Sequence, residues 1–170
     1  MAHRIEIALK SGVHDARGHG VVRTALGFLH LPVRHCQCRD IYKIDARLTQ
    51  KQLREIRKAF TDPVIATSSI GRYRAPGRFD WLIEIGFKHG VTDNVGRTAR
   101  VIVGDLLGRE LTDSEDVYTA TQYIIRGDNL SRDHAMHLAK DHLANELIQS
   151  IQVFSPEEWA AHPVDETVPV

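Results

Sequence analysis

The sequence predicts an α+β fold made of two tandem copies of one unit, each with helices packed on an antiparallel sheet. Three observations predict it. Residues 5–18 and 83–96 are identical at eight of fourteen positions: Ile5/Ile83, Glu6/Glu84, Ile7/Ile85, Lys10/Lys88, Gly12/Gly90, Val13/Val91, Asp15/Asp93 and Gly18/Gly96. The match continues as pattern, with DIYKIDARLT at 40–49 against TQYIIRGDNLS at 121–131, and FTDPVIATSSI at 60–70 against LANELIQSIQV at 143–153. Within each copy, apolar periods near two alternate with periods near 3.6, the mark of strands and helices in succession. Self-similarity at a fixed spacing is the signature of a duplicated supersecondary unit. The first unit spans 1–75, the second 79–155, and 156–170 form a C-terminal tail.

Each element has its own justification. Ile5, Ile7 and Leu9 alternate with Arg4, Glu6 and Ala8, the pattern of a half-buried first strand. Lys-x-Gly-Val-x-Asp then breaks the strand, with glycine free to adopt positive φ and Asp15 or Asp93 placed to cap a helix. In the second unit Val95, Ala99, Ile102, Val103 and Leu106 form one apolar helix face, and Val22, Ala25, Leu26 and Leu29 serve the first. Two strands follow, Val33–Cys38 and Ile41–Ala46, matched by Val117–Thr121 and Gln122–Arg126. Thr49-x-x-Gln52 is a capping box for a helix burying Leu53, Ile56 and Phe60. Its counterpart starts at Ser131 and presents Ala135, Leu138 and His142 or Leu143. Val64–Ile70 and Leu147–Val153 close the units, giving the order β-α-β-β-α-β, which is ferredoxin-like. The stretch 71–80 has the Gly, Pro and Arg content of a linker, and Trp159 docks a short helix in the tail.

The 170 residues carry 22 basic and 22 acidic side chains, a formal net charge of zero that disfavours a generic polyanion binder. The neutrality hides an asymmetry: residues 1–78 hold 15 basic and 6 acidic groups, and residues 79–170 hold 7 and 16. Opposite charge on the copies is expected to help them dock or to face them toward different partners. No run approaches the ~18 apolar residues of a membrane helix, and Met1-Ala2-His3-Arg4 lacks a signal-peptide core, so a cytoplasmic protein without membrane contact is expected. Cys36 and Cys38 lie on one side of an extended segment, where a bridge would be strained; they read as reduced thiols.

The sequence offers little self-sufficient chemistry. His134 and His137 share a helix face near Asp133 and Asp141, but no third ligand is placed and the first unit has no equivalent, so no metal site is expected. The glycines of GVHDARGHG fit neither phosphate-binding fingerprint and read as turn geometry, although a helix start beside Arg17 or Arg97 offers an anion position. No nucleophile stands beside a base in a known catalytic motif. Tyr42, Tyr118 and Tyr123 do not form an RNA-stacking strand motif, so no nucleic-acid partner is expected.

Lys-x-Gly-Val-x-Asp-x-x-Gly after a first strand, followed by an Asp/Asn-Pro-Val-Ile segment opening the last, resembles the PurS family, the small subunit of phosphoribosylformylglycinamidine synthase in purine biosynthesis. Lys10, Gly12, Val13, Asp15, Gly18 and Asp62-Pro63-Val64-Ile65 carry the resemblance in the first unit. Lys88, Gly90, Val91, Asp93, Gly96 and Asn145-Glu146-Leu147-Ile148 carry it in the second, where Glu146 and Leu147 depart from Pro-Val. The chain also resembles the N-terminal part of long fused synthases, in which two such units precede the catalytic region. The resemblance implies a non-catalytic subunit with no cofactor, no metal and no catalytic residue. Its partners would be the glutaminase and the ATP-dependent synthetase, joined so that ammonia from glutamine reaches the nucleotide substrate. The family-motif turn residues would be structural or partner-facing, and the tandem units a covalent pseudo-dimer with room for further self-association. Two other readings share the element order: an ACT-like module sensing small molecules, and an acylphosphatase-like enzyme, whose arginine cradle and asparagine are not evident in the sequence.

Overall fold

The computed structural model describes residues 2–72 and 77–162. The middle of the expected linker, 73–76, and the end of the expected tail, 163–170, lie outside the described residues. In chain order the elements are β1 (His3–Leu9), α1 (Ala16–Gly27), β2 (Val33–Asp45), α2 (Gln50–Phe60), β3 (Ala66–Ile70), β4 (Trp81–Phe87), α3 (Asn94–Leu107), β5 (Asp116–Gly127), α4 (Arg132–Leu138), β6 (Gln149–Phe154) and α5 (Pro156–Ala161). The described strands form one antiparallel sheet in the order β3-β1-β2-β5-β4-β6. An α+β class is thus observed, with both halves following the same element order and meeting at β2 and β5.

The expected pair of middle strands in each unit is a single long strand. β2 runs 13 residues and β5 runs 12 without a turn. Neither run contains proline or an internal glycine, and the two strands pair with each other from end to end, so no backbone group is released to make a hairpin. Asp40 faces Thr121, the residue that aligns with it in the repeat, so an approximate dyad passes through this ladder. β1 pairs with the 39–44 part of β2, and β4 with the 120–125 part of β5, on opposite ends of the ladder. Each half therefore supplies three described strands rather than four.

The cores are shared between the copies. One cluster joins Val21 and Ala25 of α1 and Cys36 and Cys38 of β2 to Ile83, Ile85, Ile125, Ala135 and Leu138 of the second copy. The other joins Ile5, Ile7, Ile44, Leu53 and Ile56 of the first copy to Ala99, Val103, Leu111 and Val117 of the second. Burial of apolar surface thus welds the two sequence units together.

Several local expectations shift. The Thr49/Gln52 capping box forms, and Leu53 and Ile56 are buried while Phe60 packs at the margin of the core. Ser131 caps α4 with His134 as the reciprocal partner, and after a π-turn at Ala139–Leu143 it is Leu143, not His142, that packs inward. The face expected on α3 is split: Ala99 and Val103 are buried, but Val95, Ile102 and Leu106 are exposed. The reason is close approach along a small-residue stripe. A side chain on Gly96 would sit 2.4 Å from the carbonyl oxygen of Val117, and one on Gly104 3.0 Å from that of Arg109. The helix meets the strand at Gly96 and the following loop at Gly104, and turns its larger residues to the flank. β1 is not half-buried either, because Arg4 and Glu6 are buried along with the apolar face. Trp159 docks α5 against Phe79, Leu82 and Ile124 on the sheet face opposite the two main cores, and Arg72 lies over its ring at 4.1 Å.

Candidate functional site

The motif residues converge on two equivalent turns, one after β1 and one after β4. Gly12 and Gly90 adopt φ of +87° and +79°, which glycine tolerates without strain. Val13 N–H donates to the Lys10 carbonyl at 3.1 Å and Val91 N–H to that of Lys88 at 3.2 Å, closing the turns. The lysine ammonium groups reach across to the next loop, Lys10 Nζ donating to Pro63 O and Lys88 Nζ to Glu146 O, each at 2.5 Å. Asp15 caps α1 by accepting from Gly18 N–H at 2.8 Å, and its other oxygen accepts from Cys38 N–H at 2.7 Å. Asp93 repeats this with Gly96 N–H and Thr119 N–H, both at 2.7 Å. A side chain on Gly18 would lie 2.2 Å from the carbonyl oxygen of Cys36, so glycine is required where helix meets strand. The motif's carboxylates, glycines and lysines are all engaged in shaping strand, turn and helix.

This accounts for the anion position expected at the helix start. Asp15 already places its carboxylate at the start of α1, accepting from Gly18 N–H, and Arg17 forms a fork with Asp40 at 2.7 and 3.0 Å. That fork holds the guanidinium pKa above its usual value, against partial burial.

Beside the motif, each loop before the last strand presents apolar side chains to the surface. Val64 and Leu147 occupy equivalent places and are 77% and 85% exposed, with Ile65 and Ile148 partly so. In each loop an Asx turn fixes the backbone, Val64 N–H donating to Asp62 Oδ1 at 2.8 Å and Leu147 N–H to Asn145 Oδ1 at 3.0 Å. Phe28, at the end of α1, and Leu106 near the end of α3 are a second exposed pair, the first of them 79% exposed. The sequence pattern places Val64 and Leu147 at the start of the last strands, but those strands begin at Ala66 and Gln149, and the turn-forming Asp62 and Asn145 are the signal for the loops that precede them.

Between the copies lies a buried ionic network that the alternation of β1 concealed. Arg4 grips Glu84 with Nη2 at 2.6 Å and Nη1 at 3.2 Å, and donates from Nε to Glu6 at 2.7 Å. Lys43 reaches Glu84 at 3.3 Å, Gln122 Nε2 donates to it at 2.9 Å, and Arg39 stands 3.7 Å from Glu6. Burial pushes the Glu84 carboxyl up, but Arg4, Lys43 and Gln122 outweigh it and hold the group below its usual range. Further out, Arg34 of the first copy pairs with Asp128 of the second at 2.6 Å. Basic side chains of one copy thus meet acidic ones of the other, and Glu6 and Glu84, identical in the repeat, are the network's two buried carboxylates.

The remaining candidates have structural partners. Cys36 and Cys38 are buried free thiols on one face of β2, and the Cys36 thiol is pushed up by its hydrogen bond to Cys38 and by burial. His134 accepts from Ser131 N–H at 3.3 Å as part of the cap, and His137 faces Asp141 at 2.9 Å. Among the described residues no group of three or more His, Cys, Asp or Glu side chains is placed to hold a metal ion, and no helix is long and apolar enough to cross a membrane. Neither a scan of protein-family models nor a search of curated proteins returned a match to this chain.

Proposed function

We propose that this chain is a non-catalytic bridging subunit of a phosphoribosylformylglycinamidine synthase, joining a glutaminase to an ATP-dependent synthetase in the cytoplasm for ammonia transfer. On this reading the two repeats are fused copies of a PurS-like, ferredoxin-like small subunit, a covalent pseudo-dimer whose two loop tips would meet different partners. The observation that carries the proposal is the equivalent placement of Val64 and Leu147, exposed at the two outer edges of one sheet and each held by an Asx turn and a lysine clasp. Exposed apolar side chains fixed on rigid turns suit protein contacts better than catalysis. The resemblance of the Lys10–Gly18 and Lys88–Gly96 motifs to the small-subunit family supplies the identity of those partners.

The test is reconstitution. Purified chain mixed with the two partner proteins should co-elute with them and restore glutamine-dependent, but not ammonia-dependent, activity to a synthase lacking its small subunit. If it neither binds the partners nor changes the glutamine-dependent rate, the bridging reading is wrong.

A further inference from the structure

A cavity of about 210 Å³ opens on the sheet face away from the main helices, where β2, β5 and the segment entering β4 meet. Its lining includes His35, Gln37, Arg78, Phe79, Ile124 and Arg126. Among the described residues no carboxylate lines it. Among the described residues Arg78 and Arg126 form no ion pair or side-chain hydrogen bond. The nearby acids are already engaged: Asp128 holds Arg34 at 2.6 Å, and Asp80 accepts from Gly127 N–H at 2.8 Å. His35 stands directly opposite Arg126 in the β2–β5 ladder. Burial and then Arg126 hold its imidazole below the usual pKa, so two fixed positive charges and one neutral imidazole surround the cavity. The floor is apolar, Phe79 and Ile124 both being buried, which weakens solvent screening at the site.

We propose that this cavity binds the phosphate group of a small phosphorylated molecule, with Arg78 and Arg126 as its charge-assisted donors and His35 and Gln37 completing the shell. Charge selects the ligand class. Two guanidinium groups match a phosphate monoester, which carries about −1.5 to −2 at pH 7, whereas a single carboxylate leaves one charge unanswered. Size selects how much of the ligand enters: at about 210 Å³ the cavity falls below the roughly 300–1,000 Å³ that encloses a whole small molecule. The phosphate therefore enters and the rest of the ligand lies over the rim. Guanidinium forks are suited to this geometry. The proposal does not depend on the bridging role, because it rests on a different face and on different residues.

The experiment titrates the full chain with inorganic phosphate and, separately, with acetate, following backbone amide shifts. Arg78→Gln, Arg126→Gln and the remote Lys51→Gln are titrated alongside. Saturable phosphate binding localised to residues around 35, 78 and 126 is expected, weakened about tenfold or more by either arginine change, as for loss of a charge-assisted hydrogen bond. Lys51→Gln is expected to bind as the parent does. Acetate binding as tight as phosphate would point instead to an acidic side chain of a protein partner and would overturn the assignment. So would the absence of saturation, or equal weakening by Lys51→Gln, which would reduce the effect to diffuse charge. The three positions are exposed, so unchanged melting temperatures are expected for all variants.

Discussion

Replacing Glu84 with glutamine tests whether the buried network holds the two copies in register. The carboxylate is 4% exposed and engages Arg4 through two hydrogen bonds, with Lys43 at 3.3 Å and Gln122 at 2.9 Å. Removing one partner of a buried pair costs about 3–5 kcal/mol, because the surviving charge has lost both water and its counter-ion. Glu84→Gln belongs at the lower end, about 3 kcal/mol, since Arg4 keeps Glu6 at 2.7 Å. For a chain of this size that is a fall in Tm of about 6–12 °C. Urea unfolding of parent, Glu84→Gln, Arg4→Gln and the double variant gives the coupling, and the double should cost less than the sum of the singles by at least about 1 kcal/mol. The pH dependence follows from the direction of the shift. Glu84 titrates lower in the folded chain than its usual value of 4.5, so its stabilisation is complete above that pH and drains away as pH falls toward the folded value. The stability gap between parent and Glu84→Gln should therefore be widest at neutral pH and narrow in acid. A loss under about 1 kcal/mol, or strict additivity, would show that the network is incidental and that apolar burial alone fixes the interface.

Three further outcomes are expected. Gly18→Ala and Gly96→Ala should each destabilise by about 2–3 kcal/mol, since the new methyl would lie 2.2 Å or 2.4 Å from a strand carbonyl oxygen. Gly20→Ala, within α1 and with nothing within 4 Å, should instead stabilise by about 0.5–1 kcal/mol in thermal melts; matching signs for all three would refute the close-approach account. Residues 1–78 alone should be either unfolded or homodimeric by sizing and circular dichroism, because both main apolar cores draw on both copies; a folded monomer would contradict that. Val64→Asp and Leu147→Asp should weaken partner binding about tenfold or more, as for loss of an apolar hot spot, with Tm unchanged because both side chains are exposed. Unimpaired binding would move the contact surface elsewhere.

The elements were legible in the sequence where local chemistry dictates them. Asp15 and Asp93 cap their helices as the spacing implies, and the Thr49/Gln52 box forms. What failed was reasoning that assumed each repeat packs by itself. A half-buried β1 is the correct reading of an isolated amphipathic strand, but Arg4 and Glu6 are buried here by the second copy's Glu84 and their ionic neighbours. Reading Val33–Cys38 and Ile41–Ala46 as two strands leaves Arg39-Asp40 between them. The long partner β5, carrying Gln122 opposite Arg39, satisfies that backbone without a turn. The split face of α3 was hidden for a related reason: an apolar period says which residues are large, whereas Gly96 sets which side of the helix reaches the sheet and Gly104 lets the following loop fold back on it. The His35–Arg78–Arg126 cavity had no local signature because its residues are drawn from three separate segments.

The neutral net charge gains a spatial meaning from the dyad. In the β2–β5 ladder His35 opposes Arg126 at one end and Asp45 opposes Asp116 at the other, and the repeat alignment makes these pairs equivalents of each other. Two identical copies would place the same groups at both ends. A single chain carrying both repeats is free of that constraint, and the repeats differ so that one end of the ladder carries Arg126 and the other Asp45 and Asp116. Like charges placed directly opposite destabilise a ladder; Asp45 and Asp116 are such a pair, whereas His35 opposite Arg126 is held neutral. At the anionic end, Asp116 has Arg100 at 3.5 Å to offset that cost. At the cationic end, Arg126 has no carboxylate partner among the described residues, and Arg78 adds a second unanswered charge. Two exposed guanidinium groups beside a neutral imidazole at one end, where the equivalent end carries its own counter-ion, pose a question of anion binding and not of folding cost, which is why the phosphate titration, rather than another stability measurement, is the decisive experiment on that face.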